Sequence, residues 1–368
     1  MKRITFFVGP NGCGKTRQLG KAAQAEIRRA IATAAIANTP FVRFPRSRRG
    51  FDVFRVSPAG ITKVVSKNLE RFFDDEGRDT FDISDLLQLI GFDPSVELQI
   101  KMDNHRSVDL LEITSNKSEI DALSAALDVL KSKGEGSFLL SGTSDSFLRS
   151  FREQNRIIFK YIHTLRSADI ISSYSLVFRH HDRGQQRFSE LSSGEQTLIS
   201  TYLFIRSNLA DLRTVFIDEP ENSLHPEWQR RYLEILHMAL GYHDVRLVLA
   251  THSPVLVSGA LSSYEKDVDV VRIDGNQRHN IDISNKGGSE SVEKILWHAF
   301  NTITPVSHYL SVELSTILQQ VTDGLLTRDS AELKIQEFQN QSYDQQQKKV
   351  LNHVLDNISN FIPDAKTD

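Results

Sequence analysis

Apolar residues fall along this chain in two rhythms. Short unbroken apolar runs occur at Ile4-Thr5-Phe6-Phe7-Val8 and over residues 32–37. The first is ended by Gly9-Pro10-Asn11-Gly12 and the second by Asn38-Thr39-Pro40, so both read as buried strands, the second in a parallel sheet. Between them, residues 15–29 carry Leu19, Ala22, Ala23 and Ile27 along one side of a predicted helix. Residues 41–60 read as loop or short strands, 61–73 as helix, and 82–90 as a short helix stopped by Gly91-Phe92-Asp93-Pro94. Residues 96–100 alternate like an exposed strand. Helices are expected over 116–134 and 146–167, with a Ser/Gly-rich loop over 135–145. From 168 to 260 the order is strand, Ser/Gly loop, helix, acidic strand, helix, strand. Short strands follow near 268–273 and a polar loop over 284–289. Amphipathic helices over 290–320, 328–340 and 343–360 then carry Val292, Ile295, Leu296, Phe300, Leu310, Leu314 and Ile317. The Gln/Asn-rich stretch 336–347 reads as a solvated helix face.

This alternation predicts an α/β fold with a mostly parallel sheet. The 368 residues suffice for two modest domains or one enlarged one. The division expected is a discontinuous core over 1–100 and 168–275, a mainly helical insert over 101–167, and a helical lid or partner-binding region over 285–362. A net charge of −3 means that any nucleic-acid contact must come from a local patch. Phe41-Val42-Arg43-Phe44-Pro45-Arg46-Ser47-Arg48-Arg49 is such a patch, with aromatic planes among the arginines; the plainer reading is a solvated loop, or arginines that serve the bound nucleotide or a protein partner. One cysteine, Cys13, excludes an internal disulfide framework and suits a reducing cytoplasm. No apolar run approaches the ~18 residues that span a bilayer, so no membrane partner is expected.

The loop Gly9-Pro10-Asn11-Gly12-Cys13-Gly14-Lys15-Thr16 follows a strand and opens a helix. Its glycines let backbone N–H groups turn into a small concavity, and the helix N-terminus adds partial positive charge. Gly9, Asn11, Gly12, Cys13, Gly14, Lys15 and Thr16 are thus the candidate cradle for nucleotide phosphates. Lys15 reaches the β/γ phosphates and Thr16 ligates Mg²⁺. Asp218 ends the apolar run Val215-Phe216-Ile217 and is the second Mg²⁺ candidate. Glu219 beside it is the candidate base for an attacking water. His252 ends another strand, where ligands of open α/β sheets sit, and can donate to the γ-phosphate. In Phe188-Ser189-Glu190-Leu191-Ser192-Ser193-Gly194-Glu195-Gln196, Ser192 and Glu195 have the spacing of a capping box. Ser193 offers a hydroxyl and Gly194 a close backbone approach.

Together, Leu191-Ser192-Ser193-Gly194-Glu195-Gln196 and Ile217-Asp218-Glu219-Pro220-Glu221-Asn222-Ser223-Leu224-His225-Pro226 resemble the ABC-type ATPases of the SMC, RecF and OLD group. The resemblance covers residues 4–16 and 188–258. It implies an ABC-type P-loop NTPase that binds ATP and Mg²⁺, with Ser192, Ser193, Gly194 and Glu195 contacting the γ-phosphate held by another subunit. ATP then joins two copies head to tail, and residues 223–226 line their seam. Two departures stand out. The strands that relatives carry before the loop are missing ahead of Gly9, which implies a reduced N-terminal lobe. Asn38 also stands where relatives place a glutamine; it reads either as a Mg²⁺ or water ligand or as a turn former.

The tail lacks the acidic strand cluster of OLD-type nucleases. It is similar to the helical C-termini of ATPase subunits in two-component bacterial defence systems of Septu type. That similarity implies an ATPase, of slow turnover if it works as a switch, that controls a partner effector such as a nuclease in anti-phage defence. A RecF- or SMC-like repair or chromosome-maintenance ATPase is the alternative. The lack of heptad-patterned arms counts against it. A third reading, an ATP-binding scaffold that barely turns over, is opposed by intact Lys15, Asp218 and Glu219.

Overall fold

A computed structural model describes residues 4–39, 43–74, 83–102, 110–133, 135–139, 157–158, 160–281, 308–341 and 345–358. Strands are β1 (Ile4–Val8), β2 (Thr33–Ala37), β3 (Phe51–Arg55), β4 (Phe92–Met102), β5 (Glu135–Leu139), β6 (Ile171–His180), β7 (Gly184–Arg187), β8 (Thr214–Asp218), β9 (Arg246–Ala250), β10 (Val268–Asp274) and β11 (Gln277–Ile281). The chain forms two compact units. One comprises Met1–Lys21, Pro226–Tyr232 and Leu247–Asp368; the other comprises Ala22–His225 and Leu233–Arg246.

In the first unit β1 lies between β9 and β10 and is parallel to both, with Phe7 opposite Ala250 and Val271. β11 returns antiparallel on β10 through a turn at Gly275-Asn276. The run at β1 has no polar face because sheet neighbours flank it and both faces are covered. Ile4, Phe6 and Val8 are fully buried. The tail builds a separate core. Leu310, Leu314, Ile317 and Val321 recur at helical spacing on His308–Thr322. They pack with Ala331, Ile335 and Phe338 of Arg328–Gln341 and with Leu351 of Gln345–Asn357. The expected helix positions at Val292, Ile295, Leu296 and Phe300 lie outside the described residues.

In the second unit β2 is paired in parallel with β3 and β8, which brings Ala37 opposite Asp218. A four-stranded antiparallel sheet, β5–β4–β6–β7, is built from the middle of the chain. Residues 135–139, expected as loop from their Ser and Gly, pair with β4 as β5. The expected exposed strand is one-sided: Val96, Leu98 and Ile100 are buried and Glu97 and Gln99 are partly covered. The long helix expected over 146–167 is described only in its last part, as helical positions at 157, 158 and 160 and as the helix Ile162–Ser167. Both polar strands, β7 and β11, escaped the apolar pattern because neither has an apolar face to show.

Candidate functional site

In the first unit, the loop after β1 is held in a glycine-dependent path. Gly9, Gly12 and Gly14 all have positive φ, at 141°, 80° and 99°. Any Cβ on Gly9 would lie 2.8 Å from Cys13 Sγ and 3.0 Å from the Ile273 carbonyl, so side chains are excluded there. Lys15 is buried, and its Nζ donates to the carbonyls of Gly9 (2.9 Å) and Pro10 (3.0 Å). Its charge is thus held against the first residues of the loop. Asn11 is exposed and Thr16 half-buried at the start of Lys15–Arg28.

The β10–β11 turn buttresses this loop. Gly275 N donates to Cys13 O (3.0 Å), Arg17 donates to Gly275 O (3.1 Å), and Arg278 donates to Gln18 Oε1 (3.1 Å). Arg278 also stacks over the Phe7 ring, 5.2 Å from its centre. No local pattern marks Arg17, Gln18 or Arg278 for this role, because their partner is a hairpin whose second strand, β11, has no apolar alternation.

His252 follows β9 directly and is exposed. Since β1 and β9 are parallel neighbours in register, His252 leaves the same sheet edge as Gly9. The flanking residues fix it. Thr251 N donates to Phe7 O (3.0 Å), Ser253 N donates to Thr251 Oγ1 (2.9 Å), and Ser253 Oγ donates to Gln229 Oε1 (2.7 Å). Ser253 also caps the helix Pro254–Tyr264 by accepting from Leu256 N.

In the second unit, β2 and β8 end side by side. Asn38 N and Nδ2 both donate to Asp218 O, at 3.1 and 3.3 Å. Asp218 is 1% exposed. Glu219 has φ +48°, a left-handed conformation that costs a non-glycine residue free energy. Asn222 holds the turn. Its Nδ2 donates to Glu219 Oε2 (2.9 Å) and to Asn38 O (3.1 Å), and its N donates to Glu219 O (3.2 Å). Asn38 Oδ1 is buried and accepts no hydrogen bond. The Asn38 amide and the Asp218 and Glu219 carboxylates thus stand at the ends of two neighbouring strands, and oxygen donors of these types suit a hard, hydrated cation such as Mg²⁺. Among the described residues no group of three or more His, Cys, Asp or Glu could hold a metal ion. The role of Asn222 was legible only as its place three residues after Glu219.

The Ser/Gly segment is in the same unit. Ser192 caps the helix Ser193–Arg206, and the box expected from its spacing is present. Ser192 N donates to Glu195 Oε2 (2.7 Å), and Glu195 N donates to Ser192 Oγ (3.3 Å). Ser192 and Ser193 are exposed, while Gly194 and Glu195 are buried. Arg183, from the β6–β7 turn, ion-pairs with Glu195 Oε1 and lies over the Phe92 ring. Burial pushes the Glu195 carboxyl up. The hydrogen bonds from Arg183 and Ser192 outweigh it and hold the group below the ordinary carboxylate range. Arg43, Arg46, Arg48 and Arg49 are all exposed on the segment before β3; Phe41 and Val42 lie outside the described residues.

Residues 113–258 match the model of a family described as "AAA domain, putative AbiEii toxin, Type IV TA system". This stretch is similar to P-loop ATPase domains. It takes in Ser192–Glu195, Asp218, Glu219 and His252 and leaves out the loop at 9–16. Three solved structures are similar to the chain. One is a transporter assigned to the metal-chelate ABC type, seen facing inward (12% identity, 76% of this chain, 71% of that one, TM-score 0.28). Another is the Smc head of Pyrococcus furiosus with an extended coiled coil, bound to the C-terminal domain of ScpA (12%, 61% and 54%, 0.24). The third is the SMC head of Thermotoga maritima (13%, 70% and 91%, 0.24). Among the described residues no helix is long and apolar enough to cross a membrane.

Proposed function

We propose that the chain binds and hydrolyses ATP with Mg²⁺ and, through head-to-tail pairing of two copies, controls a partner effector such as a nuclease in bacterial anti-phage defence. One observation carries the catalytic part: the strained turn after β8, where Asn222 ties the Glu219 carboxylate to the end of β2. Backbone strain is retained where surrounding bonds over-determine it, and such places are often functional. In this reading Gly9, Asn11, Gly12, Cys13, Gly14 and Lys15 hold the phosphates. Thr16, Asp218 and Asn38 hold Mg²⁺, which when bound neutralises phosphate charge. Glu219 takes the proton of the attacking water and His252 orients that water or the γ-phosphate. Exposed Ser193, at the start of a capped helix, is suited to meet a partner copy's nucleotide.

The defence role draws on the matched family, whose description names a toxin of a toxin–antitoxin system. A RecF- or SMC-like role is the second reading. It is favoured by the exposed Arg43, Arg46, Arg48 and Arg49, which fit a nucleic-acid backbone.

Mg²⁺-dependent ATP turnover and nucleotide binding, measured on the parent chain, Lys15→Ala and Glu219→Gln, test the catalytic part. Lys15→Ala should lose binding. Glu219→Gln should bind as the parent does and turn over about 100-fold more slowly. Parent-like turnover by Glu219→Gln removes Glu219 as the base.

A further inference from the structure

Between β3 and the helix Pro58–Asp74 the chain folds back over two residues. The fold is tight: a Cβ on Gly60 would lie 2.0 Å from the Arg55 carbonyl oxygen. Gly60 N donates to Ser57 Oγ (3.2 Å), which secures the first turn against the strand end. A cavity of about 590 Å³ results, wholly within the second unit. That volume is the size of a small-molecule site.

Its lining is cationic. Arg46, Arg55, Lys63 and Lys67 surround it, and among the described residues Asp52 is the only carboxylate of the lining. Asp52 is taken by Lys67 at 3.2 Å. Arg46, Arg55 and Lys63 donate no side-chain hydrogen bond to any protein group among the described residues. Three cations around one small cavity, without an ion-pair partner among the described residues, repel each other, and an anion with several acceptor oxygens relieves that repulsion.

Deeper in the lining, Asn68 is fully buried. Its Nδ2 donates to Val64 O (2.9 Å), and its Oδ1 accepts nothing. A buried acceptor without a donor is costly, and the missing donor is one that a bound ligand can supply. Phosphate at neutral pH is chiefly an acceptor; a sugar hydroxyl or base amino group donates. Phe54 and Phe204, with ring centres 5.5 Å apart, add an apolar wall.

We propose that this cavity binds a nucleoside phosphomonoester, either free or at the 5′ end of a nucleic-acid strand. The phosphate sits among Arg46, Arg55 and Lys63, and a hydroxyl or amino group of the nucleoside donates to Asn68 Oδ1. The site uses none of Gly9 to Thr16 and does not rest on ATP hydrolysis.

Titration calorimetry on the full chain carrying Lys15→Ala, with AMP as probe, tests it. Saturable binding of one AMP per chain is expected. Affinity should fall at least about 10-fold when Arg55→Glu and Lys63→Glu are added, and should weaken as salt rises. Asn68→Leu should weaken AMP binding while leaving that of inorganic phosphate unchanged. A 5′-phosphorylated octanucleotide separates the sources. Binding about 10-fold tighter than AMP assigns the site to strand ends, and equal binding assigns it to free nucleotide. No saturable AMP or octanucleotide binding, no loss in the Arg55→Glu/Lys63→Glu chain, or equal binding of a 5′-hydroxyl octanucleotide overturns the proposal. The parent chain's ATP binding, retained with Arg55→Glu/Lys63→Glu and lost with Lys15→Ala, reads the P-loop separately.

Discussion

Asn222 is the residue on which the turn after β8 depends. One amide nitrogen serves two acceptors on different segments, Glu219 Oε2 and Asn38 O. Removing it leaves a left-handed Glu219 with a carboxylate free to rotate. If Glu219 is the base, Asn222 is its positioning residue, and the two effects of losing it are separable. Asn222→Ala should lower kcat by about 10-fold or more, since well-placed general bases contribute of that order or above. KM for ATP should stay nearly unchanged, because no phosphate contact is lost. Steady-state kinetics at saturating Mg²⁺ check this; a raised KM with parent kcat would make Asn222 a binding residue instead. Chain order made Asp218 and Glu219 legible. The backbone angle at Glu219 and the double contact of Asn222 were not, because both depend on β2 lying beside β8.

At the scale of elements, the Ser/Gly helix shows how a local signal and a distant one combine. Its cap could be read from four residues, Ser192 to Glu195, since a capping box closes within one turn. The ion pair from Arg183 could not, because it needs the β6–β7 turn, and β7 is a polar strand with no apolar alternation. The same reason hid the β10–β11 hairpin that supports the phosphate loop. The pair also has a pH signature. The folded carboxyl of Glu195 lies below its ordinary value, so the stabilisation it gives is complete above the unfolded carboxylate range and is lost as pH falls through the folded value. Arg183→Met should therefore destabilise the chain by about 2 kcal/mol at neutral pH, the scale of a hydrogen bond to a charged group. The deficit should shrink in acid, where Glu195 is protonated in both proteins. Denaturant melts across pH measure it, and a deficit constant with pH would remove the ion pair as its cause.

For the whole molecule, the proposed function turns on what an ATP-bound copy would do to another copy. The α/β class, β1 and β2 as buried strands, the parallel setting of β2 and the described tail helices were legible, since each follows from apolar periodicity over one segment. The antiparallel sheet of β4 to β7 was only partly so, because β5 lies in a Ser/Gly-rich stretch whose local composition favours loop and whose partner lies about forty residues away. The proposed association is less local still, and would depend on Ser193 being presented outward. It is presented so: Ser193 is exposed on a helix whose following residues, Gly194 and Glu195, are buried. A slow-hydrolysing chain should then accumulate in the paired form. Glu219→Gln with ATP and Mg²⁺ should scatter light as a species of twice the monomer mass and revert when nucleotide is removed. Adding Ser193→Arg places a bulky cation at the start of that helix and leaves residues 9–16 unchanged in sequence. It should weaken pairing by about 100-fold, roughly 2.8 kcal/mol, while each chain still binds ATP. A doubled mass that ignores nucleotide, or that survives Ser193→Arg, would mean that copies meet through some other face and that the terminal phosphate of ATP does not join them.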